Sequence, residues 1–445
     1  MSDATHPHFI IVGGGLAGAL LANYLGQSKY EVDVYEMRDN PLRAGFSGGR
    51  SINLALSHRG IEALRRVGLA DRVLASAVAM PGRMIHSTAG HLDFQPYGKD
   101  AGQSIHSVSR GGLNTILLQA ASEQPTVRLH FNERCTGVDL RSGEVGLLNT
   151  NTNDAREVHG DIVISADGAF SAVRASMQKQ DRFDYSQHYL EHGYKELVIP
   201  PGPDGAHRLQ KNALHIWPRR AFMMIALPNA DGSFTCTLFW PFDGPVSFNA
   251  VRAEADLMRV FREHFADAIP HMPTLAEDFF ANPVGSLVTV RCGPWYVDGS
   301  VLLIGDAAHA VVPFYGQGMN AAFEDVQTLA ELLDRHGNQP DWHRVFAELY
   351  ALRKENTDTL ADLAIENFRE MRDRTGSKVF LWKKRIEHTL AKLFPRWYLP
   401  LYMMVTFTRI PYALARRRAG AQDHVATAVV ILFILAVGLI FSYMR

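Results

Sequence analysis

At 445 residues, with 47% hydrophobic and 20% charged residues, the chain has the composition of a globular protein of two or three domains, which excludes disorder as its organising theme. Its 45 basic residues against 46 acidic ones give a formal net charge of -1, so no cationic excess exists to displace counterions and the balance argues against a nucleic-acid partner. Cys135, Cys236 and Cys292 are odd in number and widely spaced, which implies neither a disulfide framework nor a zinc site and suits a reducing compartment.

The first residues, MSDATHPHFIIVGGG, lack the basic region, long apolar run and small-residue cleavage site of a secretory signal. HFIIV, GGGLAG, ALLANYLGQ and YEVDVYE read as strand, glycine turn, helix and strand, a βαβ unit. Gly13 permits the tight turn, Gly15 lets the backbone approach a pyrophosphate at the positive end of the helix, and Gly18 allows close helix-sheet packing. Glu36 ends the next strand 18 residues after Gly18, where a carboxylate accepts from ribose hydroxyls, favouring FAD or NAD over a 2'-phosphate.

Helical periodicity follows near residues 60–78, and then RMIHSTAGHLDFQPYG at 83–98 reads as a hairpin broken at Ala89-Gly90. A two-residue loop there would pair Arg83 with Pro96 and turn Tyr97 away, whereas a three-residue loop with Gly90 at a bulge would give Arg83 and Tyr97 a common face. Arg83 could equally pair with Asp93, and Tyr97 could simply pack the Pro-Gly turn. LNTILLQAASEQ is an amphipathic helix, and RLHFN, EVGLLNT and DIVISADG are strands.

Between 188 and 242 short β-type runs alternate with Pro, Gly and Asn turns, which predicts an antiparallel sheet. Residues 251–267 are helical, SVLLIGDAAHA is a further buried strand, GQGMNAAFEDVQTLAELLDRH a glycine-started helix, and 342–418 helical, with no internal repeat. The resulting fold class is α/β: a Rossmann-like nucleotide-binding domain at 1–75, 100–180 and 290–340, a substrate domain at 76–99 and 181–289 inserted as an antiparallel sheet, and a helical C-terminal region at 341–420.

Residues 425–443, VATAVVILFILAVGLIFSY, carry no charge and at ~1.5 Å per residue reach across a ~30 Å hydrocarbon layer, which predicts a membrane-anchor helix. The twelve Lys and Arg against two acids in 372–418 place the bulk of the chain on the cytosolic side, at a bacterial inner membrane or a mitochondrial outer membrane. Two motifs are read as chance. Gly45-Phe46-Ser47-Gly48-Gly49 fits G-x-S-x-G without a preceding strand, and His188-Tyr189-Leu190-Glu191-His192 fits H-x-x-E-H without a metal-binding helix pair. No metal site is expected.

Ser165-Ala166-Asp167-Gly168 through Arg174, and Gly305-Asp306-Ala307-Ala308-His309 followed by Gly316-Gln317-Gly318-Met319-Asn320, resemble the paired DG and GD signatures of FAD-dependent aromatic hydroxylases. Asp306 at a strand end suits a ribityl hydroxyl, and the helix begun near Gly318 aims its positive end at the flavin pyrimidine. GRSINLALSHRG, RMIH, PYG, SVSR, FDYSQ, HIWPR, FMMIALPN, GDAAHAVVPFYGQGMNAAFED and PLYMMVTFTRI extend the resemblance over nearly the whole chain to the kynurenine 3-monooxygenase family. The terminal apolar run is similar to the membrane anchor of its eukaryotic members.

That resemblance implies flavin contacts at Ala17, Tyr35, Glu36, Met37, Arg38, Ala55, Arg110, Cys135, Asp167, Asp306, Met319 and Asn320, beside Gly13, Gly15 and Gly18. It implies substrate contacts at Arg83, Tyr97, Asn367 and Tyr402. Arg83 suits a carboxylate held bidentately, the two tyrosines can donate to the same group, and Asn367 offers donor and acceptor to the amine side. The implied reaction is hydroxylation of L-kynurenine at ring carbon 3 with tightly bound FAD, transient NADPH and O2, through a flavin hydroperoxide, with no side chain as catalytic acid or base. Met224, Phe239, Pro313 and Phe314 are candidate pocket walls, though a hydrophobic core explains Met224 and Phe239 equally well, and His309 is a structural or flavin-adjacent histidine. The membrane lipid is an expected partner and a homodimer stays open. A flavin hydroxylase of a membrane quinone precursor is the alternative enzyme, and a flavin-binding membrane sensor without turnover the alternative of another class.

Overall fold

A computed structural model describes residues 7–43, 53–98, 103–337, 339–373 and 398–425. Two large sheets organise the molecule. The first runs Tyr296–Val297, Val301–Leu303, Ile162–Ser165, His8–Val12, Glu31–Glu36 and Val127–Phe131 in spatial order. Its pairs are parallel except the edge pair Tyr296–Val297 with Val301–Leu303. Phe9, Ile10, Ile11, Ile162, Val163 and Ile164 are all buried, because both faces of the parallel sheet are covered, one by helices and the other by the three-stranded sheet Glu133–Val138, Glu144–Asn149 and Ala155–His159 with the short helix Ala172–Met177, which leaves no polar side to alternate with. The glycine-turn helix Leu16–Gln27 and the helices Arg110–Ser122 and Gly318–His336 supply one of those covers.

The second sheet has seven strands, in the order Gly285–Gly293, Asp184–Ile199, Phe234–Pro241, Phe222–Pro228, Leu214–Arg219, Gly82–His86 and Leu92–Pro96. A wholly antiparallel sheet was the expectation from turn chemistry, and one pair departs from it. Gly82–His86 lies parallel to Leu214–Arg219, because the 83–98 hairpin arrives from a distant part of the chain and no tight turn links the two strands. Packed behind this sheet are the helices Glu254–His264 and Leu275–Ala281, with Trp217, Trp240, Phe261 and Phe265 fully buried between them. Each such side chain contributes about 1.5–3 kcal/mol of burial free energy.

His188–His192 sits inside the long strand Asp184–Ile199, and no His/Cys/Asp/Glu group among the described residues could hold a metal. Gly45–Gly49 lies outside the described residues. So does the expected membrane helix from residue 426 onward; among the described residues no helix is long and apolar enough to cross a membrane.

Asp33, on the second strand of the parallel sheet, is the focus of a small charge cluster. Arg128 donates to both its oxygens at 2.9 Å, and the Nε2 atoms of His8 and His130 each lie 2.6 Å away. Burial alone would raise its pKa, but these donors hold the carboxyl well below the ordinary range. A folded-state pKa below the unfolded value means that the stability is present above about pH 3.9 and is lost as pH falls through the folded pKa. Asp33→Asn is therefore expected to lower stability by about 2 kcal/mol at pH 7, discounted for the half-exposed Arg128, and to flatten the acid limb of a Tm-against-pH curve. An unchanged acid limb would remove Asp33 from that role.

Candidate active site

The first strand feeds directly into the glycine turn. Gly13 has φ +99°, and its N–H donates to the Tyr35 carbonyl at 2.8 Å. A Cβ at Gly18 would sit 1.9 Å from the Gly13 carbonyl oxygen, so helix and turn touch through backbone there. Gly15 differs: a Cβ would meet nothing within 4 Å, and Gly15 is the N-cap of Leu16–Gln27 with no side chain capping it. First-turn amides at Leu16 and Ala17 thus face open space, a setting for an anion.

Glu36 lies at the rim of that space. It accepts from Gly14 N at 2.8 Å, Arg38 N at 2.9 Å and Arg38 Nε at 2.7 Å. Burial opposes its charge, yet Arg38 holds the carboxyl below its ordinary value, so Glu36 is an acceptor at neutral pH. Met37 is exposed, while the Tyr35 side chain stacks on His130 at 4.6 Å and turns into the sheet. Tyr35 thus meets the turn through its backbone carbonyl alone.

A second set of residues closes the far end of the cleft. Gly305, at φ +58°, turns the chain into Asp306, whose side chain is exposed to the cleft and whose carboxylate meets no donor among the described residues. Desolvation by the surrounding protein raises the Asp306 pKa, and His309 and Arg110 work against that rise. Arg110 begins the helix Arg110–Ser122, is exposed, and forms no ion pair among the described residues. The helix Gly318–His336 starts at Gln317 without a side-chain cap. Asn320 on its first turn donates to the Ala55 carbonyl at 2.9 Å and accepts from Ser57 N at 2.9 Å, which fixes the strand carrying Ala55 against it, beside Met319.

Two positions of the flavin set serve packing. Asp167 accepts from Ser165 Oγ at 2.5 Å and Ala172 N at 2.8 Å and so shapes the turn into the next helix. Cys135 points its thiol at the Gly137 carbonyl, and burial pushes its pKa up to about 12. Two uncapped helix starts, an acidic rim at Glu36, and an unpartnered carboxylate facing Arg110 fit the pyrophosphate, ribose and ribityl parts of an FAD.

The substrate-side residues converge next to this cleft. The hairpin register pairs Arg83 with Gln95 and Gly82 with Pro96, and Tyr97 N donates to the Pro81 carbonyl at 2.9 Å. Ser87 pairs with His91 across a three-residue loop, 88–90, in which Gly90 has φ +78°. The odd-numbered positions therefore share a face, and Arg83 and Tyr97 are diagonal neighbours on it. Asp93 is not the partner of Arg83: Arg83 Nε donates to Gln95 Oε1 at 3.2 Å, and Gln95 in turn donates to Asp93 at 2.8 Å.

Tyr402, on the helix Leu401–Phe407, stacks on Tyr97 with ring centroids 5.4 Å apart. The Tyr97 hydroxyl is buried with no partner at hydrogen-bonding geometry among the described residues. Burial raises the pKa of both phenols while the Arg83 charge lowers them. At neutral pH both keep their protons and can donate. Asn367 donates to the Phe314 carbonyl at 2.6 Å, which ties its helix to the Pro313–Tyr315 turn. Phe314 stacks on Phe368 at 4.4 Å and lies 5.0 Å from Phe239.

Of the two readings open for Met224, pocket wall and core, the structure corrects the first and bears out the second. The register pairs Met223 with Phe239 and Met224 with Leu238, so Met223 joins Phe239 and Phe314 at the site while Met224 faces the opposite core with Trp217 and Trp240. Tyr315 was passed over by sequence reasoning. It lies 6.0 Å from Tyr402, ring to ring, and the Arg83 charge reaches it. Its only sequence signal is its place between the quoted Pro313-Phe314 pair and Gly316. Arg174, named in the DG signature without a role of its own, donates to the Ala307 carbonyl at 2.7 Å and the Ala169 carbonyl at 2.5 Å, joining the two signature loops.

Comparison with known proteins gives the family and the fold. Residues 8–339 match the family model described as an FAD binding domain. Among curated relatives, a kynurenine 3-monooxygenase of Myxococcus xanthus is 47% identical over 96% of this chain and 91% of its own length, and one of Dictyostelium discoideum is 45% identical over 94% and 92%. Among solved structures, 2-methyl-3-hydroxypyridine-5-carboxylic acid oxygenase shares the fold with a TM-score of 0.67 at 20% identity, covering 84% of this chain and 94% of that one. By its match to the FAD-binding model and its full-length identity to these relatives, the chain belongs to the kynurenine 3-monooxygenase family of FAD-dependent aromatic hydroxylases.

Proposed function

We propose that this protein is an FAD-dependent monooxygenase that hydroxylates L-kynurenine on its aromatic ring with NADPH and O2. One observation carries the reading: Arg83, a guanidinium without a carboxylate partner among the described residues, and Tyr97, whose buried hydroxyl has no hydrogen-bond partner among them, share one face of the hairpin, with Tyr402 stacked on Tyr97 beside a cleft that fits FAD. Such a clamp fits the amino-acid carboxylate of kynurenine, which is where a guanidinium fork and two phenol donors gain most. A polyprenyl quinone precursor carries no such anion, so the clamp argues against that alternative.

Bound FAD supplies the redox chemistry, taking hydride from NADPH and activating oxygen. Everything else falls to side chains. Arg83, Tyr97 and Tyr402 orient the substrate, and Asn367 holds the Phe314 carbonyl in place while offering its amide oxygen to the substrate amine. The ring group of Phe239, Phe314 and Phe368 excludes water from the reacting carbon. On the cofactor side, Asp306 would accept from the ribityl chain, Glu36 from the ribose, and the amides after Gly15 would meet the pyrophosphate. Gly13, Ala55, Met319 and Asn320 would shape the walls, and Arg110 would offer its charge to the cofactor's phosphates.

Purified protein supplied with NADPH should show kynurenine-dependent NADPH oxidation and release 3-hydroxykynurenine, whereas a quinone precursor should leave the basal rate unchanged. Stimulation by the quinone precursor alone would overturn the assignment. We further propose that the uncharged run 425–443 anchors the chain in a membrane with its catalytic part on the cytosolic side, supported by the basic stretch before it. Full-length protein should then leave the membrane fraction with detergent and not with high salt, and release by salt alone would exclude the anchor.

A further inference from the structure

Beneath the two halves of the site lies a buried ionic framework outside the residues assigned above to substrate and cofactor. Arg59, Glu324, Asp325 and Arg353 are each 5% exposed or less. Arg59 Nη1 donates to Glu324 Oε1 at 2.5 Å, and Arg353 Nη1 to Glu324 Oε2 at 2.5 Å. Arg353 Nε donates to Asp325 Oδ1 at 2.7 Å. Two cations thus face two anions, and the chain of contacts closes with no unpaired charge.

Its two ends are what matter. At one end Asp325 Oδ2 accepts from Gly305 N at 2.9 Å and lies 2.6 Å from His309 Nε2, so it holds both sides of the turn that presents Asp306. At the other end Arg59 Nε donates to the Val405 carbonyl at 3.1 Å, and Nη2 to the Ile410 carbonyl. Its guanidinium also lies 4.1 Å from the Tyr412 ring centroid. Val405 belongs to the helix that carries Tyr402. That seven-residue helix is far too short to be stable by itself, so the placement of Tyr402 depends on what grips the helix.

We propose that Arg59 and Arg353 are positioning residues that lock the Tyr402 helix and the Asp306 turn to one rigid framework, so that the substrate carboxylate and the flavin are held at a fixed separation. The proposal rests on the kynurenine reading for its kinetic arm only. Rigid two-ended anchoring of this kind is how a site keeps reacting atoms in line without a residue touching them. Lysine cannot replace Arg59, because one ammonium cannot hold a carboxylate and two diverging carbonyls in a planar fork.

The test uses the full chain with FAD bound. Arg59→Lys should raise the KM for kynurenine about tenfold while kcat changes less, and should raise the peroxide released per NADPH oxidised. Backbone hydrogen exchange at 401–407 should accelerate about tenfold in the same variant, with the 8–36 region unchanged. Asp325→Asn should act at the other end, weakening FAD binding to apoprotein about tenfold as read by flavin fluorescence. Arg353→Lys, which keeps the charge, guards against a variant that merely fails to fold, and should move both readouts by smaller amounts. Unchanged exchange at 401–407 in folded Arg59→Lys protein overturns the proposal even if kynurenine proves not to be the substrate. A uniform fall in Tm with unaltered KM, peroxide yield and local exchange would reduce the framework to a stabilising core and overturn it equally.

Discussion

Replacing Arg83 with methionine is expected to raise the KM for kynurenine about 100-fold while leaving FAD bound and the fold intact. The direction follows from what Arg83 lacks. Its side chain is exposed and makes one hydrogen bond among the described residues, the 3.2 Å contact to Gln95, so the folded protein loses little, within about 0.5 kcal/mol. The guanidinium is thus held in reserve for a ligand, and a bidentate charge-assisted pair with a carboxylate is worth about 3 kcal/mol. Methionine keeps the length of the stem and removes the charge. Steady-state kinetics together with the flavin-to-protein ratio check the result, and a KM within twofold of the parent would take Arg83 out of the site.

The hairpin that carries Arg83 shows how far the sequence could be read. Two loop lengths were compatible with STAGH, and they place Tyr97 on opposite faces. The three-residue loop prevails because Gly90 can adopt φ +78°, where a side chain is strained. Met223 and Met224 illustrate the opposite case. FMMIALP is buried on both faces, so hydrophobicity does not alternate and nothing local says which methionine faces the site. Only the register with Phe239 decides it.

The cofactor side was more legible, since the turn glycines, Glu36 and Asp306 sit at strand ends in fixed spacing. The Arg59–Glu324 contact was not, because it joins residues 265 apart in the chain and neither residue type is unusual at its position. Tyr402 lay beyond any local pattern too. It was reached through the family resemblance, and the ring contact with Tyr97 is what gives it a physical place.

The sharpest separation of fold from binding lies within the glycine turn, where sequence treats three glycines as one motif. Gly18→Ala would drive a methyl to 1.9 Å from the Gly13 carbonyl oxygen and 3.2 Å from Ile11 Cγ2. Backbone cannot yield as a flexible side chain can, so the helix must move off the strand, at a cost of about 3 kcal/mol or more. The apoprotein should lose several degrees of Tm and recover no FAD. Gly15→Ala meets nothing within 4 Å, and its φ of -68° suits any residue, so the apoprotein should melt within about 1 kcal/mol of the parent. Its methyl nevertheless enters the space before the helix amides, where the pyrophosphate must approach the backbone, and FAD affinity should fall at least about tenfold. Thermal melts of both apoproteins with FAD titrations distinguish the two. If Gly15→Ala bound FAD as tightly as the parent, the open space before the helix would not be the cofactor's, whereas a normal melt for Gly18→Ala would contradict the backbone contact itself. Opposite outcomes from the same one-carbon change would show that Gly18 serves the fold and Gly15 the ligand.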